Sequence, residues 1–474
     1  MTAVTLSHPT SILTGNIKLP SSKSISNRAL ILQQISNASL TLNNISTADD
    51  TVLMQQALKQ HQGVIHLKNA GTCMRFLTAY FAATPYTSVT LLCDERMKQR
   101  PIKELVDVLK QLGADITYTE KEGFPPLRIN GKKLTGGTVS IAASTSSQYV
   151  SALMMIAPLC ENGLTIKLIG RVTSFPYIEM TAQLMERFGW SVQLNNENGL
   201  SIEIPREIQK FEIRNSKKIS TPKSHPDSYR DSHLFIESDW SAASYWYEMA
   251  ALSKECNILL EDLSLDSLQG DAVIAEYMER FDVLTTEEPN GIRLTKEARN
   301  SNHEIRKNPE IQNLKSQIVN LKSFPDLTPT IAVTAAALNT PITLSGLQNL
   351  RIKESDRLEA LQLELTKLGF DVTITNDELE VRKSPRFAVG SPQKEELQNP
   401  SSNIQHLKSE ISNPKSQIRN LTSHISTYSD HRMAMAFAPL ALITESITIE
   451  HPEVVEKSYP HFWEDLKSVG FVIQ

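Results

Sequence analysis

The feature that most constrains this chain is an alternation of two kinds of helix signature, repeated six times along the sequence. The first kind is amphipathic and usually closes on glycine ahead of a short strand pattern. One copy runs from Ile102 to Gly113 and another from Arg357 to Gly369, with apolar residues at three- and four-residue steps. That spacing sets one apolar stripe against a core, and the closing Gly caps the helix because it adopts the left-handed conformation cheaply. Fainter copies occupy about 49–63, 178–189, 271–281 and 460–470. The second kind is small and apolar nearly all round, the mark of a fully buried helix. Its copies are Ala29–Ile35, Cys73–Ala83, Tyr149–Leu159, Ala242–Leu252, Ile331–Leu338 and Met433–Ile443. With strand-like runs between them, the pattern predicts a repeated α/β unit present six times, as two sets of three.

A chain of 474 residues is too long for one ordinary domain. Hydrophobic residues at 40% and charged residues at 21% supply packed cores and exclude global disorder. The net charge of −5 argues against a nucleic-acid or membrane-surface binder. Cys73, Cys93, Cys160 and Cys256 lie far apart with no zinc-like spacing, so neither a disulfide scaffold nor a structural zinc is expected. Met1 to Lys18 lacks a signal-peptide pattern, and no run of about 18 apolar residues is present to span a bilayer. The expectation is a cytoplasmic protein of more than one domain. Three polar stretches, Arg214–His233, Asn300–Ser323 and Gly390–Ser426, break the pattern and read as surface insertions.

Each buried helix is announced by a polar segment. These are Pro20–Arg28, Asn69–Thr72 with Arg75 just inside, Ser144–Gln148, Glu237–Ser241, Phe324–Asp326 and Tyr428–Arg432. Ser, Thr, Asn and Asp at such places are ordinary caps. Lys and Arg are not, because a cation opposes the positive end of the helix dipole unless an anion sits there. Lys23, Arg28, Arg75 and Arg432 occupy such places, and Arg96, Lys98, Arg100, Arg351, Lys353 and Arg357 lie in two further polar segments. An acidic protein that gathers its cations this way reads anionic small molecules. No phosphate-cradling glycine loop accompanies them, so nucleotide binding lacks support. Taken alone, Asp326 reads as a cap or a catalytic acid, Glu354 as surface charge or a catalytic acid, and His431 as structural.

In their order along the chain, eight segments resemble the 5-enolpyruvylshikimate-3-phosphate synthase family: Ser22–Arg28, Asn69–Arg75, Arg96–Ile102, Ser146–Gln148, Pro325-Asp326, Lys353–Leu358, Asp430–Met435 and Lys457–Pro460. The resemblance implies an α/β enolpyruvyl-transferase fold of two domains, each of three βαβαββ units with buried helices, and an active site in the interdomain cleft. It places one domain at 1–20 plus 238–474, with insertions at about 300–323 and 390–426. The other is 21–237, with a polar insertion at about 214–233. It implies transfer of the enolpyruvyl group of phosphoenolpyruvate to the 5-hydroxyl of shikimate 3-phosphate, through a tetrahedral ketal, by a monomer without cofactor or metal. By matched position Asp326 is the base, and Lys23 and Glu354 are candidates for proton delivery. Lys23, Gly71, Arg100, Gln148, Arg357, Arg432 and Lys457 would hold phosphoenolpyruvate. Lys23, Ser24, Arg28, Ser146, Ser147, Gln148, Ser174, Tyr177, Asp326, Asn349 and Lys353 would hold shikimate 3-phosphate.

Phe76 departs from the family, whose well-known members have Pro there, and this predicts altered inhibition by glyphosate with turnover kept. The insertion at 300–323 ends beside Pro325-Asp326, where it could disturb the base. Two rivals remain. One is the sister transferase acting on UDP-N-acetylglucosamine, which uses a loop cysteine; Cys93 lies near Arg100, but its neighbours do not match that loop. The other is a non-catalytic phospho-ligand binder, which would need neither base nor acid.

Overall fold

The computed structural model describes residues 3–36, 40–142, 146–170, 172–195, 199–206, 233–297, 317–384 and 422–474. Among them, four-stranded sheets recur with one internal order. In the clearest, Gln62–His66 pairs in parallel with Ser88–Leu92, which pairs antiparallel with Leu127–Asn130, which pairs antiparallel with Asp115–Tyr118. Parallel neighbours require a crossover, and the buried helix Gly71–Ala83 supplies it. The amphipathic helix Lys103–Gln111 then leads to the closing hairpin. The result is a βαβαββ unit. The same order joins Gly137–Ala142, Leu164–Ile169, Ser201–Ile204 and Gln193–Asn195. It recurs in Gln317–Asn320, Ile342–Ser345, Glu378–Val381 and Val372–Ile374.

The first residues of the chain complete two distant sheets. Ile12–Ile17 is the parallel partner of Glu255–Glu261, and Ala3–Ser7 lies between Ser446–Glu450 and Val472–Ile473. A smaller parallel pair joins Thr41–Asn43 to His233–Phe235. Both helix kinds fall where the sequence pattern puts them. The buried ones are Lys23–Ile35, Gly71–Ala83, Ser147–Ile156, Trp240–Leu252, Thr328–Ala337 and His431–Phe437.

These helices pack into two hydrophobic cores. One gathers Leu6, Trp246, Ile331, Phe437 and Phe462, the other Ile31, Leu77, Phe81, Leu153 and Leu184. The chain passes between the cores twice, side by side, where Ser21 pairs with Ser238. The Ser22 N–H donates to Glu237 O and the Asp239 N–H to Pro20 O, each at 2.8 Å. Buried Gln269 ties both passages. Its Oε1 accepts from Ser22 Oγ at 2.9 Å and the Trp240 N–H at 3.1 Å, and its Nε2 donates to Ser238 O at 2.7 Å.

The three polar stretches are shorter than the sequence suggests. Their C-terminal ends contribute to the strands His233–Phe235, Gln317–Asn320 and Thr422–Ile425. Val319 and Ile425 are buried in the core; Ile425 is a single apolar residue whose polar neighbours hide the strand signal, and Val319 lies in a strand of four residues at the end of a long polar stretch. The remainder of these stretches lies outside the described residues, as do Ser144 and the part of the 300–323 insertion expected to disturb the base. Among the described residues no helix is long and apolar enough to cross a membrane.

Candidate active site

Helix N-termini from the two cores face one another across a solvent-open cleft of about 1090 Å³. On one wall Lys23, Gly71 and Ser147 each open a buried helix. Ser174, held in the left-handed conformation at φ 54°, precedes Phe175–Arg187. On the other wall Asp326 lies in the short 3-10 turn Pro325–Leu327 that leads into Thr328–Ala337. Asn349 lies in a second such turn, Gln348–Ile352, followed by Lys353 and Glu354. Arg357 and His431 each open a helix. Lys23, Ser24, Arg28, Gly71, Arg100, Ser146, Ser147, Gln148, Ser174, Tyr177, Asp326, Asn349, Lys353, Glu354, Arg357 and Arg432 all line the cleft. Lys457 reaches it from the side, its Nζ donating to Glu354 Oε1 at 3.1 Å and Asn69 O at 3.2 Å.

The wall carrying Asp326 is a saturated ion network. Arg357, 1% exposed, donates through NH1 to Asp326 Oδ1 and through NH2 to Glu354 Oε2, both at 2.9 Å. Its Nε and NH2 also grip Asp430 at 2.7 and 3.2 Å. Arg432 NH2 donates to Asp326 Oδ2 at 2.9 Å, and Lys353 Nζ stands 3.5 Å from Asp326. Burial pushes the Asp326 carboxyl up, but Arg432, Lys353 and Arg357 together hold it far below the ordinary carboxylate range. Glu354 follows the same logic: burial raises it, and Lys457, Arg100 and Arg357 pull it well down. Burial is the leading influence on Lys353 and pushes its amine below the usual lysine value.

The facing wall is cationic and less fully neutralised, with Asp50 3.4 Å from Lys23 and Glu354 3.7 Å from Arg100. Arg28 is buried, and its partners are Thr181 Oγ1 at 2.7 Å, Ser24 O at 2.9 Å and Ser151 Oγ at 3.2 Å. None is a carboxylate, and burial lowers its pKa to about 10. Its guanidinium stands 5.2 Å from the centre of the Phe76 ring. Arg75 and Arg100 are buried beside it, each with an unpartnered Nε. Seven cations line the cleft against three carboxylates, Asp50, Asp326 and Glu354. In a chain of net charge −5, that excess marks an anion site.

The walls are bridged. Arg96 donates to Glu354 O at 2.8 Å and Lys353 O at 3.1 Å, and Tyr177 OH lies 3.5 Å from Asp326 Oδ2. Arg351 turns away to Asp356, and Lys98 pairs with Glu95 and Glu120. Sequence reasoning missed Asp50, whose carboxylate lies 3.4 Å from Lys23 Nζ; an acid in the first turn of Asp49–Ala57 carries no distinguishing signal. The His431 ring, read from sequence as structural, lines the cleft with neither nitrogen hydrogen-bonded and Nδ1 3.7 Å from Asp430; burial, with Lys23 and Arg432, drives its pKa well below normal so that it is neutral.

The family model for EPSP synthase (3-phosphoshikimate 1-carboxyvinyltransferase) matches residues 8–63 and 55–466. The chain belongs to the EPSP synthase family. A relative from Bacteroides fragilis (strain YCH46) named 3-phosphoshikimate 1-carboxyvinyltransferase is 41% identical over 469 residues, covering 99% of this chain and 98% of the relative. One of the same name from Haemophilus influenzae (strain ATCC 51907 / DSM 11121 / KW20 / Rd) is 31% identical over 497 residues, covering 99% of each. Among solved structures, EPSP synthase from Acinetobacter baumannii superposes with a TM-score of 0.70 at 19% identity over 100% of both chains. The enolpyruvyl transferase NikO from Streptomyces tendae gives 0.65 at 12%, over 100% of this chain and 98% of that one. The fold is the two-domain enolpyruvyl-transferase fold of that family, as the six-fold helix pattern and the resemblance together predict.

Proposed function

We propose that this chain transfers the enolpyruvyl group of phosphoenolpyruvate to the 5-hydroxyl of shikimate 3-phosphate, releasing phosphate, within aromatic amino acid biosynthesis. The observation that carries the reading is the set of carboxylates, Asp326 and Glu354, embedded among cleft cations that outnumber them. Two substrates with two phosphates and two carboxylates bring the anions that this excess lacks.

Arg432, Lys353 and Arg357 stabilise the charge of Asp326 and make it a poor base while they hold it. Substrate anions that take over those cations weaken this hold and return basicity to the carboxylate. Asp326 then accepts the proton of the 5-hydroxyl as its oxygen bonds to C2 of phosphoenolpyruvate. Lys23, or Glu354 once substrate anions have drawn Lys457, Arg100 and Arg357 from it and it has taken up a proton, delivers a proton to the methylene carbon, giving a methyl group and a tetrahedral ketal. Loss of a proton from that methyl carbon and of phosphate from C2 restores the double bond in the product. Arg357, Arg432, Arg100, Gln148, Gly71 and Lys457 hold phosphoenolpyruvate. Ser24, Arg28, Ser146, Ser147, Gln148, Ser174, Tyr177, Asn349 and Lys353 hold shikimate 3-phosphate. No cofactor or metal enters this reading.

The domains are taken as 1–20 plus 238–474 and 21–237, in agreement with the two cores and the paired passages at Ser21 and Ser238. The protein works as a cytoplasmic monomer on small molecules, without nucleic acid or membrane. Burial argues against the sister reaction, because it pushes the Cys93 thiol up to about 11, far from a reactive thiolate. Phosphate release tests the proposal, with each substrate omitted in turn and UDP-N-acetylglucosamine as rival acceptor. Release needs both substrates and disappears in Asp326→Ala. Release with the nucleotide sugar alone, or binding without turnover, sinks it.

A further inference from the structure

The helix Gly71–Ala83 has no side-chain cap at its N-terminus, so its first N–H groups face the cleft unsatisfied by any side chain there. Two guanidinium groups converge on the same point. A Cβ placed on Gly71 would stand 2.6 Å from Arg75 NH1 and 2.7 Å from Arg100 NH1. Both side chains line the cleft, Arg75 at 5% exposure and Arg100 at 7%, and the Nε of each is buried without a partner. Arg75 NH1 donates to Gly71 O at 2.9 Å, which fixes the guanidinium against the helix entrance. Its further hydrogen-bond partners are uncharged, the Tyr149 side chain and, weakly, Met97 Sδ at 3.8 Å, and the same sulfur lies 3.9 Å from Arg100 NH1.

Two like charges this close, buried, and aimed at an uncapped helix N-terminus are costly without an anion between them. Burying an unpaired charge is costly even after relaxation. The Tyr149 side chain, which hydrogen-bonds the Arg75 guanidinium and sets its ring 5.9 Å away as a cation–π partner, returns only part of that cost. That is too little to explain the arrangement as packing. The neighbouring carboxylate is already committed. Glu354 serves Lys457 at 3.1 Å and Arg357 at 2.9 Å, and it stands 3.7 Å from Arg100.

We propose that Arg75 is an anion-binding residue of the cleft, acting with Arg100 and the Gly71–Ala83 N-terminus to hold the phosphate group of phosphoenolpyruvate. The inference rests on the enolpyruvyl-transfer reading and adds a residue to it. A dianionic phosphate goes where positive charge is least neutralised, and that is this wall. The carboxylate end falls to the wall of Arg357 and Arg432, whose charge Asp326, Glu354 and Asp430 already share. Arginine suits the position better than lysine because its planar fork can give two parallel N–H bonds to one phosphate while a third stays on Gly71 O.

The test compares the native chain with Arg75→Gln and Arg75→Lys, by calorimetric titration of inorganic phosphate and by steady-state kinetics with each substrate varied. Losing a hydrogen-bonded charge on a bound anion corresponds to roughly 10- to 100-fold in affinity. The expected result for Arg75→Gln is a KM for phosphoenolpyruvate and a phosphate Kd raised by about that factor. The KM for shikimate 3-phosphate stays within about threefold, and Arg75→Lys recovers part of the loss. Equal rises in both KM values, or an unchanged phosphate Kd, overturn the assignment. If Arg75→Gln does not fold, Arg75→Lys carries the test alone, with a phosphate Kd raised less than about threefold counting against the proposal. Phosphate titration does not depend on turnover, so failure of the reaction itself is seen separately, in the native chain.

Discussion

Asp430 does not line the cleft, yet the ion network predicts that catalysis depends on it. Its carboxylate accepts from Arg357 Nε at 2.7 Å and NH2 at 3.2 Å, from Ser355 Oγ at 3.1 Å and from the Arg432 N–H at 3.0 Å. It therefore caps the helix that carries Arg432 and aims the guanidinium of Arg357. In Asp430→Asn one acceptor oxygen becomes a donor directed at that guanidinium. Two charge-assisted bonds at ~1.5–3 kcal/mol each are at stake, a sum that overlaps the ~3–5 kcal/mol range for breaking a buried pair. Asp326 and Glu354 continue to hold NH1 and NH2, which reduces the loss to roughly half that range, about 2 kcal/mol. If it appears in substrate binding, about 2 kcal/mol is about 30-fold in kcat/KM. The assay is steady-state kinetics with each substrate varied, beside thermal unfolding of the same preparation. The expected outcome is a fall of about that size in kcat/KM for phosphoenolpyruvate and a smaller change for shikimate 3-phosphate. A lowered melting temperature with kcat/KM unchanged would refute the reasoning, because Asp430 would then be only a helix cap.

Gly71→Ala places a methyl group 2.6 Å from Arg75 NH1 and 2.7 Å from Arg100 NH1; the KM for phosphoenolpyruvate rises about tenfold or more as both guanidiniums shift, and kinetics with an unchanged KM would dismiss the crowding. Phe76→Pro removes the ring beneath Arg28, so glyphosate inhibition changes while turnover persists; equal inhibition of both chains would count against a role for Phe76. Glu248 is wholly buried with neither oxygen partnered, and burial raises its pKa well above the ordinary 4.5. Its folded form keeps the proton, so stability is full below about pH 4.5 and falls by about 1.4 kcal/mol per unit as pH rises toward the folded-state value. Glu248→Met escapes that loss and is more stable at pH 7, with the gap shrinking toward pH 5; denaturant curves that differ by the same amount at both pH values would show the argument wrong.

What the sequence reveals and what it hides divide along the range of the interaction. Helix type is local, so both kinds are legible from spacing, and Lys23, Arg28, Arg75 and Arg432 stand out because a cation at a helix N-terminus contradicts the dipole. Sheet completion is not local. Nothing in Ala3–Ser7 says that it inserts between Ser446–Glu450 and Val472–Ile473, because an alternating strand fits any edge of matching register. Asp430 and His431 stay ambiguous in sequence for a related reason: a cap and a lone histidine look alike whether or not a guanidinium lies across the fold. Asp326 shows the boundary best. Its position before a buried helix is readable as a cap, and the eight-segment resemblance raises it to the base. Only the packed cleft shows Arg357 and Arg432 each 2.9 Å from its carboxylate, the hold that substrate anions have to loosen under the proposed mechanism. Reactivity in this site belongs to the assembled charge network, and a residue's own neighbours in sequence carry half of it at most.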